Sequence, residues 1–247
     1  MPIPRRRRRW KFGLLTVLVL LVGLIYFGND LALALESSTS SRSVGTPSHG
    51  SLKHGKRLPS TGPNFRVYSR LGAALGRNSV HTKVRAVVLE AYAVAGRQVP
   101  TARFVYGETG WPFGGKFWPH RTHQNGLSID FMVPVRTRSG EPAELPTWPW
   151  QKFGYAVEFD SKGRSQDLEI DYPAMVAHLS ALRTAAHRQG LRIDRVIFAP
   201  ELRNRLGYTP GGDLILKQVP FTRTRPWVRH DEHYHVDFAT GARAAGR

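Results

Sequence analysis

The chain has 247 residues, with 36 Lys and Arg against 18 Asp and Glu, a formal charge of +18, and no cysteine. At 41% hydrophobic residues it can build a packed core, which excludes global disorder. Without cysteine there is no disulfide, no thiolate ligand and no thiol nucleophile, so any metal must be held by His, Asp or Glu. The charge invites a nucleic-acid reading, but residues 1–63 alone carry ten basic and two acidic residues, most of the basic ones in Arg5–Arg9 and Lys11.

That basic run leads straight into Phe12–Phe27, an uncharged apolar stretch. It falls between the roughly 7–15 residues of a signal-peptide core and the roughly 20 of a membrane span. Arginines ahead of such a segment hold the N-terminus in the cytoplasm and send the rest across. Residues 1–30 are therefore expected to be an inner-membrane anchor, with a cleaved signal, at Ala32-Leu33-Ala34, as the alternative. Export removes nucleic acid as a partner, and no nucleic-acid-binding signature accompanies the charge. Residues 31–63, rich in Ser, Gly, Pro and Thr over Glu36–Pro63, read as a flexible linker, and residues 64–247 as the globular domain.

Within the domain, Val84, Val87, Val88, Ala91 and Tyr92 predict a helix over Ser79–Ala95 that Gly96 stops. Arg103–Tyr106, Leu127–Val135 and Phe153–Phe159 read as strands, with Pro134 marking an edge or end. Asp171 is a candidate N-cap for a helix to about Gln189, with Pro173 in its first turn and Gly190 past its end. A strand at Val196–Phe198, a helical turn at Glu201–Leu206 and a strand at His233–Phe238 complete the order. The mixture lacks a regular βαβ rhythm and predicts an α+β fold, a small antiparallel sheet flanked by helices.

Five of the ten histidines fall in two clusters, Pro119–Asp130 and Arg229–Phe238. Strand alternation puts His233 and His235 on one face and Tyr234 on the other. His123 would approach a strand that contains Asp130. Two histidines and one carboxylate make a three-ligand site with an open position, the catalytic arrangement of Zn²⁺. Trp111, Trp118, Trp148, Trp150 and Trp227 are candidates for lining a cleft or for packing, and Trp118 and Trp227 lie nearest the histidines.

His123-x6-Asp130 followed by His233-x-His235 resembles the ligand signature of lysostaphin-type and D-Ala-D-Ala zinc metallopeptidases. With His120-x2-His123, His230-x2-His233, Gly114-Gly115 and Arg195-Val196-Ile197-Phe198-x-Pro200, the chain is similar to the penicillin-insensitive murein endopeptidases over about residues 64–240. The resemblance implies a bacterial, periplasmic zinc peptidase that cuts the D-alanyl–diaminopimelate cross-bridges of peptidoglycan, and that β-lactams do not acylate. It also implies His123, Asp130 and His235 as zinc ligands, and His120, His230 and His233 as further active-site histidines. The departures are Thr122 in place of serine, the lack of cysteine, the N-terminal segment and the basicity.

The general base is His233 by strand alternation, or Glu232 if the strand bends. Glu232 occupies the position of the base in D-Ala-D-Ala carboxypeptidases, so terminal D-Ala trimming stands as an alternative activity. A non-catalytic zinc-containing murein-binding protein is the third reading. His120 and His230 would hold a developing oxyanion or a substrate carboxylate, or else support the ligands.

Overall fold

The structure, a computed structural model, describes residues 5–223 and 228–241, with side chains from residue 13 onward. Its centre is a five-stranded sheet in the order Leu191–Ile197, His233–Thr240, Ser128–Met132, Phe104–Tyr106, Phe65–Val67. The first three pairings are antiparallel and the last, between the two short strands, is parallel. The α+β expectation holds, and the sheet is mixed where an antiparallel one was predicted. A second, four-stranded sheet continues from Pro134 through Val135–Thr137.

Two helices, Thr82–Gln98 and Tyr172–Arg188, pack on each other and cover one face of the central sheet. The contact is aromatic. Tyr92 stacks on Phe65 at 4.6 Å and on His178 at 4.8 Å, and His178 packs on Phe131 at 4.7 Å from the sheet. The second helix starts at the predicted cap, where the Asp171 side chain accepts from the Ala174 N–H, and Gly190 follows it at φ +66°. The first helix runs on to Gln98, and Gly96 does not stop it. A Cβ on Gly96 would lie 2.5 Å from the Asn64 amide, which donates to the Tyr92 carbonyl. Gly96 serves close packing there and keeps a helical backbone.

Two expectations fail. Phe153–Phe159 is not a strand: Pro149–Gly154 forms 3-10 turns, and Lys152 and Phe153 take positive φ, which breaks any extended run. Nor is Glu36–Pro63 a featureless linker. Arg42–Thr46 and His49–Lys53 form an antiparallel hairpin, and Lys56–Arg57 pairs with Ser79–Val80. Leu52 and Leu58 are buried, and this stretch docks by backbone hydrogen bonds from Leu52 to Phe113 and from Leu58 to Asn78. Few apolar residues suffice because the backbone of the domain supplies the partners.

The N-terminal helix is continuous from Arg5 to Ala34, and Gly13–Ala34 is long and apolar enough to cross a membrane.

Candidate metal centre

The face of the sheet opposite the two helices carries the histidines. Along the strand His233–Thr240, Tyr234, Val236 and Phe238 are buried, and the Tyr234 hydroxyl meets His178 Nδ1 at 2.6 Å on the helix side. His233, His235 and Asp237 therefore share the other face. The antiparallel register sets His235 opposite Asp130 and Asp237 opposite Ser128.

His123 arrives from the loop before Asp130 and sits at φ +68°, a conformation uncommon outside glycine and typical of side chains held for function. The hairpin clasps this loop: Gln124 donates its N–H to the Pro47 carbonyl, and Asn125 Nδ2 donates to the Gly45 carbonyl. Leu52 lies where a Cβ on Gly126 would come within 2.7 Å of it. The segment read from sequence as a linker thus holds the loop that carries His123.

The polar atoms converge on Asp130, which is buried. His123 Nδ1 donates to the Thr109 carbonyl at 3.0 Å, which leaves Nε2 as the electron-pair donor. That Nε2 is 3.4 Å from Asp130 Oδ1, is buried, and has no hydrogen-bond partner. His235 Nδ1 is 2.8 Å from the same Oδ1, while its Nε2 donates to Asp237 Oδ1 at 2.9 Å. Asp130 Oδ2 accepts from the Tyr155 hydroxyl at 2.9 Å and is 3.9 Å from His233 Nε2. His120 joins as well: its ligand atom and those of His123 and Asp130 all lie within 4.8 Å of one another. His120, His123 and Asp130 thus form one group able to converge on an ion, and His235 shares with His123 the same Asp130 oxygen.

A buried orphan nitrogen beside a carboxylate, with a second imidazole on the same oxygen, suits a divalent cation of borderline softness. The electrostatics agree. Burial opposes ionisation of Asp130, yet the histidine charges and hydrogen bonds hold its carboxyl well below the usual range. Burial also opposes charge on His235, but Asp237 and Asp130 push it up to about 10, so the two carboxylates favour positive charge at this point.

Glu232 does not face away from the site, nor does it pair with Arg229, which binds Glu201 and Asp231. Its Oε1 accepts from His233 Nδ1 at 2.8 Å, and both side chains are buried. Burial opposes charge on each, but their mutual attraction lowers the Glu232 pKa and, helped by Asp130, raises that of His233. The His230 ring lies 4.6 Å from that of His233, and His120 lies 5.2 Å from His123. Burial pushes His120 down to about 3 and His230 down to about 4, so both are neutral at neutral pH, and His230 Nδ1 donates to the Val228 carbonyl at 2.7 Å, which leaves its Nε2 an acceptor. All seven side chains singled out from the sequence thus meet in one place.

Sequence reasoning missed Asp237, Tyr155, Thr109 and the Arg77–Glu108 pair. Asp237 also accepts from Ser128 Oγ at 2.6 Å and from Arg195 Nε at 2.8 Å. Tyr155 reaches in from the turn expected to be a strand, and its oxygen also accepts the Glu108 N–H. Only glycine fits at 107, where a Cβ would lie 2.5 Å from that hydroxyl. Arg77 Nε and Nη2 both bond Glu108 while the guanidinium lies 4.2 Å over the Phe117 ring, which bolsters the His120 side. Of the tryptophans, Trp118 is exposed and Trp148 and Trp150 stack on each other at the surface, while Trp111 packs on Phe117. Trp227 lies outside the described residues.

An α+β domain whose central strands gather histidines round one buried aspartate defines a class, proteins with a candidate mononuclear His/Asp metal centre. The chain belongs to the penicillin-insensitive murein endopeptidase family, whose sequence profile matches residues 43–245. It is similar to a penicillin-insensitive murein endopeptidase of Haemophilus influenzae, 24% identical over 204 residues. That alignment covers 82% of this chain and 65% of the relative, so the chain spans a little under two thirds of the relative's length. The match begins within the stretch that composition marks as a linker, in keeping with the hairpin found there.

Proposed function

We propose that the chain is a zinc-dependent periplasmic endopeptidase that hydrolyses the D-alanyl–diaminopimelate cross-bridges of peptidoglycan, with its N-terminal helix in the inner membrane. The observation that carries the metal reading is the buried His123 Nε2, partnerless and aimed at Asp130. His123 Nε2, Asp130 and His235 Nδ1 would hold the ion. His235 is preferred over His120 because its far nitrogen is anchored on a buried carboxylate, the usual support of a metal-ligating histidine. Zinc in that position supplies an acidified water and polarises the scissile carbonyl.

The remaining work falls to the protein. His233 takes the proton of the attacking water at Nε2 and returns it to the leaving amine. Glu232 holds the ring through Nδ1, fixing the tautomer that leaves Nε2 free. Glu232 is thereby engaged as a support for the base, which favours His233 over the carboxypeptidase-like assignment. His120, neutral, donates a hydrogen bond to the developing oxyanion or to a substrate carboxylate, whereas the one N–H of neutral His230 is committed to the Val228 carbonyl, so its Nε2 accepts from a substrate N–H or from the water.

The test is digestion of defined muropeptides by the full chain, with products identified by mass. Cross-linked dimers should be split, a chelator should stop the reaction, and zinc should restore it. Trimming of monomeric pentapeptides with dimers left intact would point to a D,D-carboxypeptidase. Zinc binding with neither substrate cut would leave a murein-binding protein.

A further inference from the structure

The apolar N-terminal helix is joined to the domain. Its Asn29 is almost fully buried and uses its whole hydrogen-bonding capacity there. Nδ2 donates to the Leu58 carbonyl and to Ser60 Oγ, both at 3.0 Å, and Oδ1 accepts from Asn78 Nδ2 at 2.9 Å and from Arg57 at 3.3 Å. One turn earlier, the Arg70 guanidinium lies 5.3 Å over the Tyr26 ring. Gly28 faces Ala74, whose Cβ would be 3.5 Å from a Cβ at that position. Pulling Asn29 into lipid would strand four hydrogen-bonding positions, and Asp30 beside it is exposed and charged. The boundary of the hydrocarbon therefore falls at or before Gly28.

This makes the free span short. From Phe12, the first residue after Lys11, to Gly28 there are about 17 residues, or roughly 26 Å of helix, against a hydrocarbon thickness of about 30 Å. The domain carries what closes the gap. The short helix Arg70–Ala74, packed along the N-terminal helix, presents Leu71 and, just after its end, Leu75, 44% and 61% exposed and one turn apart. Leu24 and Phe27 of the N-terminal helix are exposed too.

We propose that this face of the domain is a membrane-insertion surface, with Leu71 and Leu75 sunk into the headgroup–acyl boundary of the bilayer. The inference rests on the reading that the helix is retained in the membrane. The occupant is lipid because the helix that presents both leucines packs along the C-terminal part of an apolar helix itself read as membrane-spanning. Thinning of the bilayer is the other way to absorb the mismatch, and it would leave both leucines in water.

The absence of cysteine makes the test direct. Full-length Leu71→Cys, Leu75→Cys, Leu18→Cys and Leu214→Cys variants, each labelled with an environment-sensitive fluorophore, are reconstituted into phosphatidylethanolamine–phosphatidylglycerol vesicles. Leu214, 54% exposed on the distant helix Gly212–Gln218, is the aqueous control. Labels at 71 and 75 should be quenched several-fold more by a lipid-borne nitroxide than the label at 214, and be shielded from aqueous iodide. If 71 and 75 behave like 214 while 18 is quenched by lipid, the helix spans and the insertion surface is refuted. If 18 also escapes lipid quenching, the anchor reading falls, and this inference with it.

Discussion

Asp237→Asn probes the metal centre without touching a proposed ligand. The replacement keeps shape: its Oδ1 still accepts from His235 Nε2 and from Ser128 Oγ, at the present 2.9 and 2.6 Å. What it removes is the negative charge that makes His235 Nδ1 a strong donor. Loss of such support lowers metal affinity roughly 10–100-fold. Arg195, with Nε 2.8 Å from Asp237 Oδ2, already offsets part of that charge, so the lower end applies, about tenfold or ~1.4 kcal/mol. The assay is zinc titration against a competing chromophoric chelator, with urea unfolding of the metal-free protein in parallel. Unchanged zinc affinity would refute the view that His235 coordinates through Nδ1 with Asp237 behind it. Lost stability with unchanged affinity would recast Asp237 as a fold residue.

His233→Ala should lower kcat by about 10²–10⁴ and leave zinc content near one per chain, whereas Glu232→Gln should cost roughly 10–100-fold by freeing the ring; a His233→Ala enzyme with normal turnover would remove it as the base. His123→Ala or Asp130→Ala should abolish zinc binding and hydrolysis together, read by metal analysis and muropeptide cleavage. Leu58→Ala should cost about 2–5 kcal/mol in urea unfolding, because Leu58 is fully buried, whereas a true linker would register nothing. His178 is held neutral by burial, its pKa down at about 3, below its unfolded value of about 6.5. Its contribution to stability is whole above pH 6.5 and lost as pH falls towards 3, by about 1.4 kcal/mol per unit; in His178→Phe the acid limb of a stability–pH curve should flatten by about one proton.

How much of this was legible in the sequence depends on how local the signal is. Asp171 and Gly190 bracket their helix by short-range capping chemistry, and both work as expected. Alternation alone put His233 and His235 on one face, and the same rule extended by two residues reaches Asp237, so that support was available and went unread. Tyr155 had no such signal, since it depends on positive φ at Lys152 and Phe153 and on the room left by Gly107, none of which has a period. The hairpin at residues 42–53 was hidden by a composition suited equally to turns and to linkers. The parallel pairing of Phe65–Val67 with Phe104–Tyr106 links segments nearly forty residues apart, beyond any window of pattern.

The strand His233–Thr240 has two readers, the site on one face and the core on the other. A slip of one residue would bring Tyr234, Val236 and Phe238 to the site and drive His233, His235 and Asp237 against Phe131 and His178. No misregistered form can be both packed and armed. Under the proposed function, folding itself would act as the safety catch: the site's chemistry would arrive only with the finished molecule, and partly folded chains would carry none.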